Sequence, residues 1–205
     1  MRHVPSGTTL ESNVLTFEQA LQPSADCGYD RQRWLYVPDF YSEYRYILGT
    51  KGSLPLICIG INPSTAEPDK LDPTLKSAER IALGNGFDSF IMFNVYAQRA
   101  TSPDDMEPEL NPLLHSENMK AFEYILSLCG GSPSIWAAWG TIIAKRDYLP
   151  LCVMDMIAIG EKYGARWFSA GARSKAGHPH HPLYLKSSSP LEPFDAMEYC
   201  RSILH

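Results

Sequence analysis

The sequence predicts an α/β fold, a three-layer α/β/α sandwich around a central, mainly parallel four-stranded sheet. Three observations predict it. Short apolar runs recur at "LICIGI" (56–61), "SFIMFNV" (89–95), "SIWAAWG" (134–140) and "ARWFSAG" (165–171), and unbroken runs suit strands covered on both faces. Stretches with helical spacing lie between them, as parallel connections require. At 205 residues and 44% hydrophobic side chains, the chain can bury a substantial core, and no repeat or linker divides it.

A single domain over 1–205 is therefore expected, with residues 1–44 as an extension or strap and 45–190 as the core. "VLTFEQALQ" (14–22) reads as a short helix or part of that strap. "YRYIL" (44–48) and "LPLICIGI" (54–61) read as strands joined by a Gly-containing turn, which suggests a hairpin. In "DPTLKSAERIALGNG" (72–86), Asp72 suits the N-cap and Pro73 the first helical position. Leu75, Ala78, Ile81 and Ala82 share one face, and Gly84 or Gly86 ends the helix. After the second strand, an acidic loop leads to "SENMKAFEYILSL" (116–128), with Met119, Phe122, Ile125 and Leu126 on one face. Two helical stretches follow the third strand, the second running from Pro150 to Gly164. After the fourth strand, "RSKAGHPHHPLYLKSSSP" (173–190) reads as irregular.

The net charge of −5 does not advertise a polyanion partner, so any nucleic-acid function must rest on a local patch. One candidate exists: residues 165–186 contain Arg166, Arg173, Lys175 and Lys186 and no acid, a setting suited to phosphate contacts. The five cysteines form no CxxC pair, which argues for a reducing compartment and against a disulfide framework. Neither a signal peptide nor a membrane span is evident, so a cytoplasmic location is expected, with no membrane partner and a monomer favoured.

Ligands of parallel sheets bind at the carboxyl ends of the strands, and that rule selects the candidates. Asn62 ends the first strand within "GINPS" (60–64), so Gly60, Ile61, Pro63 and Ser64 become candidate contacts. A carboxamide is no general base, but it can orient a water or hold an amide-like ligand. Turn formation by Asn-Pro-Ser is the plainer alternative. Asn94 ends the second strand and offers a donor and an acceptor side by side, matching a nucleobase edge. Arg99 could face a phosphate or solvent, Tyr96 could supply an aromatic platform, and Gly140 ends the third strand. His178, His180 and His181 cluster after the fourth strand. A neutral imidazole there could meet negative charge on a leaving group. A metal is less well supported, because no HxxxH or His–carboxylate pattern accompanies them, and no metal or cofactor is expected. Asp72 is explained by helix capping, although it or Asp69 could assist a water. No GxGxxG, GxxxxGK[ST] or GxSxG pattern supports a dinucleotide, P-loop or hydrolase-elbow reading.

Taken together, "GINP" (60–63), "FIMFN" (90–94), "IWAAWGTIIAKRD" (135–147) and "GHPHHPL" (177–183) resemble, in order, segments of the uracil-DNA glycosylase superfamily, the first being closest to its mismatch-specific uracil/thymine branch. The pattern "NPSTA…DPT…FN…AWG…GHPHHPLYL" is also similar to a family of small proteins known as a domain of unknown function. The glycosylase resemblance implies an N-glycosidic hydrolase acting on DNA or a nucleotide, with the target base flipped into a pocket. It implies that Asn62 positions the water, Asn94 reads the base and His178 stabilises the leaving base. "HPHHPL" is one residue longer than the superfamily's form, so His181 competes with His178 for that role. Leu183 or Tyr184 becomes the candidate for filling the gap left by the base. A binding module that reads a base without cleaving it remains the alternative, and a metal-dependent hydrolase centred on His178 and His180 a more distant one.

Overall fold

The computed structural model describes residues 2–7, 9 and 13–203. The chain begins with strap segments and a short helix, α1 (Phe17–Ala20), closed by a capping box between Thr16 and Gln19. Strands β1 (Trp34–Val37), β2 (Ile47–Thr50) and β3 (Pro55–Gly60) precede helix α2 (Pro73–Gly84) and strand β4 (Ser89–Asn94). Helix α3 (Pro112–Ser127), strand β5 (Ser134–Ala137), helix α4 (Tyr148–Lys162) and strand β6 (Arg166–Ala170) follow. Strand β7 (Leu191–Pro193) and helix α5 (Ala196–Ile203) complete the fold.

The sheet has seven strands in the order β1-β2-β4-β3-β5-β6-β7, rather than the four expected. The expected four, β3 to β6, are its parallel centre. An antiparallel pair, β1 and β2, extends one edge, and antiparallel β7 extends the other. The expected hairpin does not form. β4 inserts between β2 and β3, and Leu48 aligns with Met92 while Cys58 aligns with Met92 from the other side. Because β2 runs against β4, its beginning lies at the edge where β3 and β4 end. That reversal determines which side chains reach the site.

Alternating residues of the strands face two cores. Ile57, Ile59, Ile91, Phe93 and Ile135 pack with buried side chains of α1, α3, α4 and α5. Leu56, Cys58, Phe90, Met92 and Trp136 pack against α2 through Leu75, Ala78, Ile81 and Ala82, the face its spacing predicted. Helices therefore cover both faces of the sheet, and full burial of each such aliphatic side chain contributes about 1.5–3 kcal/mol. α2 starts as expected, with the Asp72 carboxylate accepting from Leu75 N–H at 2.9 Å and Pro73 in the first turn. α3 starts four residues earlier than its apolar spacing suggested, because Asn111 caps it and Pro112 follows. No helix among the described residues is long and apolar enough to cross a membrane.

Candidate functional site

The carboxyl ends of β3, β4 and β5 open into a cavity of about 500 Å³, within the ordinary range for small-molecule sites. Three loops build it: the turn after β3, the segment after β4 and the histidine segment after β6. Gly60, Ile61, Asn62, Pro63, Ser64, Asp72, Asn94, His181 and Leu183 line it.

Asn94 stands out energetically. It is 1% exposed, and neither its amide nitrogen nor its amide oxygen has a hydrogen-bond partner among the described residues. Leaving one such group unmade costs about 1–3 kcal/mol. Its backbone is tied down, since the Asn118 side chain donates to the Asn94 carbonyl at 3.0 Å. Gly60, aligned with Asn94 across the ladder, makes room for it. A Cβ there would fall 3.2 Å from Asn94 Oδ1 and 2.5 Å from Met92 Cε.

Asn62 is oriented by its own loop. Its Nδ2 donates to the Ala100 carbonyl at 2.8 Å and to the Pro63 carbonyl at 3.1 Å, which leaves Oδ1 free to accept from a water. Its turn chemistry and its place on the cavity wall are thus one arrangement. Ser64 meets Thr101 at 3.0 Å, and Thr101 exchanges two hydrogen bonds with His3 of the strap, so residues before the core brace the rim.

Of the two competing histidines, His181 lines the cavity. Burial, followed by the nearby His180, holds its pKa below the usual imidazole range, against an opposing pull from Asp72. The ring is therefore neutral at pH 7. Its Nδ1 accepts from Leu183 N–H at 3.3 Å, so the single proton sits on Nε2, which has no acceptor among the described residues. Gly140 adopts φ 63° directly beside it, and a Cβ there would sit 3.3 Å from the Cβ of His181.

Five expected contacts lie elsewhere. His178 is buried behind the cavity, with Nδ1 2.8 Å from the Tyr199 hydroxyl. That hydroxyl also accepts from Trp139 Nε1–H at 3.1 Å, so His178 braces the cavity-lining Trp139 instead of touching a ligand. Tyr96 is core: its hydroxyl donates to Glu107 at 2.5 Å and its ring packs on Tyr148. Arg99 faces neither phosphate nor solvent. It is fully buried, donating to the carbonyls of Ser64 and Ala66 and to the Tyr36 hydroxyl, and it stacks on Tyr41. Gly140 supports His181 from outside the wall, and Tyr184 is 91% exposed at φ 71°. Among the described residues no three His, Cys, Asp or Glu side chains are grouped to hold a metal.

The segment 45–183 is matched by a family described as Protein of unknown function (DUF1643). The chain belongs to this family. No curated protein and no solved structure matches it. In this DUF1643 protein the matched span runs from Arg45 to Leu183, and both of those residues lie on the cavity wall. Arg45 and Trp139 are among the wall residues that the strand-end rule did not select. Trp139 was within reach, one residue before Gly140. The signal for Arg45 was a cation inside the aromatic and aliphatic run "YRYIL" that leads into β2.

Proposed function

We propose that the cavity binds a nucleobase and that the protein hydrolyses an N-glycosidic bond to it, in DNA or a nucleotide. The observation that carries this reading is Asn94: a carboxamide buried at a strand end, unsatisfied at both polar atoms, on the wall of a cavity of ligand size. A base edge supplies the complementary donor and acceptor.

The other groups fit the same chemistry, and the resemblance to uracil-DNA glycosylases in motif order agrees with them. Departure of a base leaves an oxocarbenium-like sugar and puts negative charge on the leaving ring. The Nε2–H of neutral His181 can donate to that charge, and Asn62 Oδ1 can accept from the attacking water. Asp72 is committed to capping α2, so its carboxylate serves at most as a fixed charge beside the cavity. His181 takes the role that the resemblance would have divided between two histidines.

The test is release of free base from uracil- and mismatch-containing oligonucleotides and from nucleotides, followed by chromatography. Wild-type protein should release base, and Asn94→Ala and His181→Ala should each lower the rate by about 10²-fold or more. Ligand-induced stabilisation with no release from any substrate would replace catalysis with a binding module.

A further inference from the structure

A buried cation on the cavity wall is left over from that reading. Arg45 is 1% exposed and lines the cavity. Its Nη1 donates to the Ala66 carbonyl at 3.1 Å, while Nε has no partner. Among the described residues no carboxylate forms an ion pair with it. Arg99 donates to the same Ala66 carbonyl, so two guanidinium groups lie side by side, both buried and neither in an ion pair among the described residues, although the Asp72 carboxylate on the same wall acts on Arg45 from a distance. Burial, with Arg99 as the next cause, brings the Arg45 pKa down to about 9, which leaves it charged at neutral pH. An unpaired charge in such a place is costly. Arg99 is accounted for by its hydrogen bonds and its stack on Tyr41. Nε is unmatched in both guanidinium groups among the described residues, but Arg45 has a single side-chain hydrogen bond and it alone of the two lines the cavity.

We infer that Arg45 is an anion-recognising residue, and that the ligand of the cavity is a free nucleoside monophosphate, its base edge at Asn94 and its phosphate at Arg45. This rests on the proposed nucleobase reading and goes beyond it by naming the substrate class. Phosphate is the oxyanion that a base-bearing sugar carries, and the guanidinium fork matches it. A free nucleotide is favoured over a polymer because Arg45 is enclosed: Arg99 shares its acceptor carbonyl and is itself sealed from solvent, so a strand has no path onward past that point. The overall charge of −5 also opposes tight binding of a long polyanion.

The experiment compares a nucleobase, its nucleoside, the 5′-monophosphate, inorganic phosphate and a short single-stranded oligonucleotide by calorimetry and thermal shift on the full chain. The monophosphate should bind at least about tenfold more tightly than the nucleoside, the factor expected of a charge-assisted hydrogen bond. Arg45→Gln should collapse that ratio toward one, and Arg45→Lys should retain part of it. The comparison of ligands on wild-type protein stands even if a variant fails to fold. Nucleoside and monophosphate binding equally would overturn the role of Arg45 and leave the base reading intact. Monophosphate binding that is indifferent to base identity and to Asn94→Ala would overturn the base reading and leave the anion site. An oligonucleotide that binds more tightly than the monophosphate would overturn the assignment to a free nucleotide.

Discussion

At the scale of single residues, what could be read from sequence was what depends on position along a strand. Asn62 and Asn94 terminate apolar runs, and a strand terminus in a parallel sheet is already a location in space. His178 and His181 could not be separated that way, because two prolines among them break any regular spacing. The structure separates them by environment: one bonds to Tyr199 and the other lines the cavity. Burial holds both rings below the usual imidazole range. As pH falls from about 6.5, the unfolded chain takes up these protons before the folded one. Their contribution to stability is thus complete above that value and is lost as pH drops through the folded values. The melting temperature should decline from about pH 7 to about pH 5, and His181→Asn should remove part of the decline. Unchanged slopes would mean that the rings titrate normally. Gly140→Ala should destabilise the fold by about 1–2 kcal/mol, the cost of a left-handed backbone for a residue with a Cβ, and should also slow base release by displacing His181.

At the scale of elements, the sequence pattern recovered the four central strands and α2, α3 and α4, the helices by their spacing and the strands by unbroken apolar runs that go with parallel, doubly covered positions. It did not recover β1 and β7, which lie at the two edges of the sheet and lack such a run. Nor could it say which neighbour β2 would choose, since pairing is a long-range outcome. The Asp72 cap gives this scale its prediction. Asp72→Ala should cost about 0.5–2 kcal/mol, whereas Asp72→Ser, which keeps an N-cap acceptor, should cost only a few tenths. Chemical denaturation measures both. If Asp72→Ser keeps its stability yet loses base release, the carboxylate charge is needed beyond its capping role.

At the scale of the whole molecule, the net charge of −5 leaves any contact with a polyanion to local groups. The basic stretch 165–186 proves partly spoken for, with Arg166 over Phe168 and Arg173 over Phe194. The cation proposed to meet the ligand, Arg45, is buried. Exposed charges are screened by salt and buried ones much less so. Nucleotide affinity should therefore change little between about 50 and about 200 mM salt, an interval over which a protein contacting many DNA phosphates loses about 10³-fold or more. A steep salt dependence would place binding on the outer surface instead.

The reversed direction of β2 has a consequence for anyone altering the gene. Arg45 sits two residues before β2, with its N–H donating to the Ala97 carbonyl at 2.9 Å, so with one extra codon between Arg45 and Ile47 a strand that keeps its pairing would displace the guanidinium from the hollow. An insertion a few positions upstream, in the loop before Tyr44, would be taken up as slack. Two edits of equal size and nearly equal address should thus give, respectively, a well-folded protein blind to phosphate and one that behaves like its parent.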